Sequence, residues 1–254
     1  MSTIGLIQAR MGSTRLAGKV LKTMGSRTIL EHIYHRVSTA TLLDQVIIVT
    51  STEQQDDELE TFCKERNIPV FRGSEWDVLD RFYQAAISLP ARPETLVRMT
   101  SDCPLHSGKV VDFGIREYKK RGVDYFSNSN NEPDFLEDGF DVEVFSFNSL
   151  ETAWKEAKLL SEREHVTPFI KQSGKFRCEW KKSHPEYQFK LSVDTPADFK
   201  AVSAIFEHLT DQADFSIEEV VDVLKAHPEI LEYNQESIIN AGYQKSLDND
   251  RIVK

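Results

Sequence analysis

Cysteine is scarce and unpaired in this chain. Cys63, Cys103 and Cys178 are the only three, scattered and without Cys-x-x-Cys spacing, which excludes a disulfide scaffold or a thiolate zinc site and leaves packed, reduced thiols. No apolar run approaches the ~20 residues that a membrane helix needs, so no membrane partner is expected. No charged–apolar–small leader opens the sequence, and a cytoplasmic location is expected. A basic stripe and an Arg-rich helix are missing as well. The formal net charge is −10, which argues against nucleic acid as a partner. Internal repeats and low-complexity segments do not occur.

What is present is an ordinary globular composition, 40% hydrophobic and 28% charged over 254 residues, enough for one large α/β domain or at most two small ones. Apolar runs at 3–8, 45–50 and 95–100 read as buried parallel strands, with helical spacing at 28–40, 54–66, 76–88 and 108–121 between them. This alternation predicts a doubly wound sheet. After about residue 124 the pattern becomes mixed. Strand-like stretches at 124–127, 142–147, 175–181 and 187–193 interleave with helices near 148–159, 163–172 and 195–209, which predicts a mixed sheet with an added substrate-side lobe. An amphipathic helix at 216–226 stops at His227-Pro228. The expected organisation is a single domain over 1–231 and a polar, extended or partly disordered C-terminal tail over 232–254.

The densest chemistry lies just after the first strand, in Gln8-Ala9-Arg10-Met11-Gly12-Ser13-Thr14-Arg15-Leu16-Ala17-Gly18-Lys19-Val20-Leu21. Glycines let backbone N–H groups crowd an anion, and Arg10, Arg15 and Lys19 can neutralise a triphosphate and its leaving pyrophosphate. It is not a Walker A loop, because five residues separate Gly12 from Gly18 and Val20 follows the lysine. Nor is it a dinucleotide fingerprint, since no Gly-x-Gly-x-x-Gly follows the strand. In an acidic chain, such local positive charge points to a bound anion rather than to a chance basic loop.

Two strands end in aspartate. Leu96–Thr100 runs into Ser101-Asp102-Cys103-Pro104, and Leu191-Ser192-Val193 into Asp194-Thr195-Pro196. Carboxylates at the carboxyl edge of an open sheet can hold Mg²⁺ against phosphate oxygens; each can equally cap the next helix. Cys103 has no evident His partner and reads as a packed thiol. In Gly73-Ser74-Glu75-Trp76-Asp77-Val78-Leu79-Asp80-Arg81, Ser74 suits an N-cap, and Asp77 and Arg81 share a helix face, either as a surface ion pair or toward a ligand. Around Asn128 and Asp141-Val142-Glu143, strand alternation puts both acids on one face, where they could meet sugar hydroxyls, a second metal or a proton in transfer. The sequence assigns His165 in Glu162-Arg163-Glu164-His165-Val166-Thr167-Pro168 no unique role; a lone histidine is more often a hydrogen-bonded packing residue than a ligand or base.

The N-terminal loop resembles the Gln-Ala-Arg-x-x-Ser-Thr-Arg-Leu-Pro-Gly-Lys signature of the cytidylyltransferases that activate acidic sugars. That family includes CMP-KDO synthetase, acylneuraminate cytidylyltransferase and, most similar, the spore coat polysaccharide biosynthesis protein F type. The later blocks follow in family order from about residue 3 to 209, and Ala241–Leu247 is similar to a segment ending many spore-coat-type members. The chain departs from the pattern at Ala17, where proline is customary, and at Phe169, where tyrosine is. The resemblance implies a Rossmann-like, three-layer α/β/α nucleotide-diphospho-sugar transferase fold with a mostly parallel mixed sheet, and a homodimer. It implies Mg²⁺-dependent transfer of CMP from CTP to an acidic or modified sugar in surface or spore coat glycan biosynthesis, with release of pyrophosphate. In its terms Arg10, Arg15 and Lys19 are catalytic, and Gln8, Ala9, Gly12, Ser13, Ser74 and Arg81 bind nucleotide. Asn128, Asp141, Glu143 and His165 bind the sugar, with His165 as a wall of that site or else part of the dimer interface, and Asp102 and Asp194 ligate the metal. The alternatives are a glycosyltransferase of the same fold, which would normally carry an Asp-x-Asp motif where this chain has Asp102-Cys103-Pro104, and a nucleotide-binding regulatory subunit with a degenerate site.

Overall fold

In the computed structural model the described residues are 2–130, 132, 135–209, 215–239 and 241–253. In chain order the elements are β1 (Thr3–Gln8), a short hairpin β2 (Thr23–Met24) and β3 (Arg27–Thr28), α1 (Ile29–Val37), β4 (Gln45–Ser51), α2 (Asp57–Glu65), β5 (Val70–Gly73) and α3 (Val78–Ile87). They continue with β6 (Thr95–Thr100), α4 (Gly108–Arg121), β7 (Tyr125–Ser127), β8 (Glu143–Ser146), α5 (Phe147–Glu156), α6 (Leu160–His165) and α7 (Pro168–Gln172). Last come β9 (Cys178–Trp180), α8 (Pro196–His208), α9 (Ile217–Ala226) and α10 (Ala241–Asp248).

Seven strands form one sheet in the order β5-β4-β1-β6-β8-β7-β9. β8 alone runs against its neighbours, antiparallel to both β6 and β7, so the sheet is mixed and mostly parallel. Alternation along each strand sorts the side chains into two cores. Ile7, Ile48, Val97, Met99, Val142 and Val144 pack under α1, α2, α4, α8 and α9. Leu6, Val49, Leu96, Tyr125 and Phe145 pack under α3, α5, α6 and α7. This is a three-layer α/β/α molecule. Both faces being covered explains why β1 and β4 read as nearly continuous apolar runs. Among the described residues, no helix is long and apolar enough to cross a membrane.

Local chemistry sets the helix starts. Thr28 with Glu31, Thr195 with Asp198 and Ser216 with Glu219 form capping boxes at α1, α8 and α9. The α3 cap is Asp77, whose carboxylate accepts from Asp80 N, while Ser74 Oγ accepts from Asp77 N one turn earlier. Ser74 is thus not the cap that its residue type suggests.

Three further readings of the sequence are corrected. The strand-like stretch 187–193 lies extended but joins no sheet: Leu191 N and Ser192 N donate to the Asp138 carboxylate, and Val193 N to Asp102 O. The single helix expected over 163–172 is two, α6 and α7. Between them Val166 takes φ 71°, ψ −54° and Thr167 N bonds His165 O at 2.8 Å, a strained γ-turn for a β-branched residue. Pro168 then opens α7. The stretch read as an extended tail folds back as α10 onto α6, and Leu160 N and Val253 N bond across to Arg251 O and Lys158 O. Residues 240 and 254 of that tail, and residues 131, 133 and 134 of the stretch near the expected sugar site, lie outside the described residues.

Candidate active site

β1, β4 and β6 are parallel and end together at Gln8, Ser51 and Thr100, so the loops that follow meet at one edge of the sheet, where open α/β folds bind ligands. The loop after β1 is held at both ends. Met11 N donates to the buried Asp56 carboxylate at 2.7 Å, and Val20 is fully buried in the core. Between them Ser13 Oγ accepts from Leu16 N, and Gly18 takes the left-handed conformation, φ 62°, that starts the 3₁₀ turn Lys19–Leu21. Gly12 lies so near Gln55 that a Cβ would meet Nε2 at 3.0 Å.

That turn drives Lys19 into the edge. Its Nζ reaches Asp102 Oδ2 at 3.3 Å, Asp194 Oδ1 at 3.0 Å and Val193 O at 2.8 Å, and Arg15 Nη2 meets Asp194 Oδ1 at 2.9 Å. Burial works against the ammonium, but the two carboxylates outweigh it and raise the Lys19 pKa, so the side chain stays charged. Burial likewise opposes the Asp102 charge. Lys19, with the Thr100 hydroxyl at 2.6 Å, overcomes it and holds the carboxyl at about 2. Four residues expected to act together are therefore in one ion cluster, drawn from positions 15, 19, 102 and 194. Arg10 stands apart, half exposed and 3.9 Å from Glu75.

The other expected nucleotide residues serve the walls. Ala9 is buried, with its N–H on Val49 O. Arg81 is 2% exposed and clamps the Ser74 and Glu75 carbonyls at 2.8 Å each. Burial, with Arg10 nearby, lowers its pKa to about 10. Asp77 pairs not with Arg81 but with buried Arg163, Nη2 to Oδ2 at 2.5 Å.

On the α6 and α7 side of the same edge, Arg98 bridges Gln8 Oε1 at 3.1 Å and Glu143. Glu143 also accepts from Tyr125 OH and Thr167 Oγ1 at 2.6 Å and from Lys171 Nζ at 3.3 Å. Burial opposes its charge, but Lys171 and Arg98 lower the pKa well below the carboxylate range. His165 Nε2 lies 2.9 Å from Ser246 Oγ on α10. Burial and then Arg98 depress its pKa to about 4, leaving the ring neutral.

Asn128 turns inward rather than toward a ligand. Its amide bonds Glu137 Oε2 and Phe140 O and receives Val142 N, fixing the 137–142 loop. Asp141 sits in that loop, ahead of β8, so strand alternation does not govern it. Its carboxylate accepts from Gly139 N, and burial with Asp138 beside it pushes the pKa up. Cys103 is buried and its thiol is pushed far up by burial and Asp102, which bears out a packed, unreactive cysteine. Sequence reasoning passed over Asp56, Arg98 and Lys171. Arg98 alone left a signal, a charge inside an otherwise apolar strand.

Two carboxylates converging on one cation are a hard-oxygen set of the kind a divalent metal takes together with phosphate oxygens. Among the described residues, no group of three or more His, Cys, Asp or Glu could hold a metal without such outside ligands.

A cytidylyltransferase family model matches residues 4–243. An uncharacterized protein of Methanocaldococcus jannaschii is 37% identical over 238 residues, 92% of this chain and 95% of its own length. The spore coat polysaccharide biosynthesis protein SpsF of Bacillus subtilis is 30% identical over 237 residues, 88% of this chain and 94% of its own. A solved cytidylyltransferase from Leptospira borgpetersenii superposes with a TM-score of 0.83 at 30% identity, covering 94% of this chain and 99% of that one. A CMP:2-keto-3-deoxy-manno-octonic acid synthetase solved with CTP shares the fold, with a TM-score of 0.63 at 15% identity over 82% of this chain and 99% of that one.

Proposed function

We propose, because this chain belongs to the cytidylyltransferase family, that it transfers CMP from CTP to a hydroxyl of an acidic or modified sugar and releases pyrophosphate. The reading rests above all on Lys19 meeting Asp102 and Asp194 at the strand edge. In-line attack on the α-phosphorus asks for positioning and charge neutralisation more than for covalent help. Lys19 and Arg15 face the carboxylates in the free protein; CTP would draw them onto its phosphates, with Arg10 added from the loop's exposed side. Asp102 and Asp194 are the residues that would hold Mg²⁺. Bound there, the ion would neutralise phosphate charge and acidify the attacking hydroxyl. The Arg98–Glu143–Lys171 network and His165 form the wall on which the sugar is read. The use of CTP puts the reaction in the cytoplasm, and similarity to SpsF and to 3-deoxy-manno-octulosonate cytidylyltransferases supports a surface-glycan precursor as the product.

Thermal unfolding in the presence of CTP, UTP, GTP or ATP, each with and without Mg²⁺, tests the donor. CTP should raise the melting temperature selectively and more strongly with Mg²⁺, and a panel of sugar acids should then yield pyrophosphate. Equal or absent shifts for all four nucleotides would refute the reading.

A further inference from the structure

The C-terminal helix reaches the site at His165, through Ser246 and Tyr243. Ser246 is the buried residue of α10, and its hydroxyl lies between two residues of α6: Glu164 Oε2 at 2.7 Å and His165 Nε2 at 2.9 Å. The Gly242 carbonyl is a third neighbour, at 3.2 Å. Tyr243, one turn earlier on α10, meets the His165 ring edge-on at 4.9 Å between centroids.

The protons in this group can be counted. A serine hydroxyl has one hydrogen to give and lone pairs to receive. Its shortest contact is to a carboxylate, which attracts the hydrogen more strongly than a neutral acceptor does. With that hydrogen on Glu164, the contact to His165 is made only if Nε2 carries the ring proton and donates it. Placing the serine hydrogen on Gly242 O gives the same answer. The remaining arrangement, with the hydrogen on His165 Nε2, would set the Glu164 and Ser246 oxygens 2.7 Å apart with no proton between them, which is repulsive. Burial keeps the ring neutral. A neutral imidazole protonated at Nε2 has a lone pair on Nδ1, and Nδ1 has no partner among the described residues.

We infer that α10 is a working part of the site: Ser246, backed by Glu164, fixes His165 as its Nε2–H tautomer and thereby presents Nδ1 as a hydrogen-bond acceptor. A group that donates a hydrogen bond, such as a sugar hydroxyl, is what such an acceptor takes. This rests on the reading of the Arg98–Glu143–Lys171 side as the sugar wall. Ser246 and Glu164 are positioning residues that act through His165.

Long-range ¹H–¹⁵N correlation spectra of the full chain near pH 7 read the tautomer directly, with His165→Gln assigning the signals. The wild type should show a protonated Nε2 and an unprotonated Nδ1 with the wide separation of a fixed tautomer. Ser246→Ala should narrow that separation toward the mixture of free imidazole, and Ser246→Thr should restore it. Stabilisation by CTP with Mg²⁺ should be the same in Ser246→Ala as in the wild type. A proton on Nδ1 in the wild type, an unchanged spectrum in Ser246→Ala, or equal loss of tautomer and CTP response in that variant would each overturn the inference. The spectra are recorded without nucleotide, so failure of CTP to bind the wild type is a separate result that bears on the donor alone.

Discussion

At the residue scale, two ion clusters of similar composition have different consequences. Lys19 is largely buried, but its partners Asp102 and Asp194 and the nearby Arg15 are open enough for the cluster to trade partners with a ligand. Removing one charge that stabilises a transition state typically costs about a hundredfold or more in rate. Lys19→Met and Asp102→Asn should therefore lose turnover to at least that extent while circular dichroism remains native; near-wild-type turnover in either folded variant would defeat the assignment. Arg163 and Asp77 are different, with side chains 1% and 10% exposed. Breaking such a buried pair from one side strands a charge and costs roughly 3–5 kcal/mol, whereas an apolar replacement of both partners costs far less. Urea titration should find Arg163→Leu destabilised on that order and Asp77→Leu/Arg163→Leu recovering part of the loss. A single variant within about 1 kcal/mol of the wild type, where exposed pairs fall, would show that the pair does not anchor α6 to α3.

At the scale of elements, backbone conformation allows a sharper comparison than side-chain contact. Gly18 and Gly122 both sit in the left-handed region, at φ 62° and 59°, one opening the lysine turn and one ending α4. Neither is crowded: a Cβ at Gly18 would meet only Met11 Cε at 3.4 Å, and one at Gly122 nothing within 4 Å. Alanine at either should cost about 1–2 kcal/mol from the backbone alone. Only Gly18→Ala should also weaken stabilisation by CTP with Mg²⁺, and an equal loss in both variants would mean that the turn does not shape the ligand site. The lysine loop and the two aspartates were legible in the sequence because their spacing is local and each follows an apolar run, β1 before the loop, β6 before Asp102 and the extended stretch before Asp194. β5 was not, since Val70-Phe71-Arg72-Gly73 is short and half-buried along its length and so shows no clear period. The stretch 187–193 misled for the opposite reason. Leu191 and Val193 are fully buried, as in a strand, but the N–H groups of Leu191 and Ser192 go to the Asp138 side chain, which lies 53 and 54 positions away. The Asp77–Arg163 pair spans 86 positions, and no helix-face rule reaches that far.

At the scale of the whole molecule, acid response depends on groups that pull in opposite directions. Burial depresses His106 and His165 to about 4, so each folded ring resists a proton that the unfolded chain accepts near 6.5. Their contribution to stability is complete above pH 6.5 and is lost as pH falls from there to about 4. Burial raises Glu137, Asp138 and Asp141 instead. A carboxyl so raised binds its proton more tightly in the folded state than in the unfolded chain, so each adds stability as pH falls, and Asp141, at about 8, does so across the whole of that range. The total curve is therefore flattened, and a difference between variants reads what the total hides. His106 is fully buried and joins the loop after β6 to the loop before β8 through Nε2–H on Asp141 O at 2.9 Å. Glutamine keeps a donor there but has no proton to gain. The wild-type advantage over His106→Gln should shrink by roughly 3 kcal/mol between pH 7 and pH 4, the size of the shift in free energy. Urea titrations of both proteins at each pH measure it. A constant difference across that range would mean that the ring protonates as easily inside the protein as outside, and that the two loops are not sealed against water where they meet.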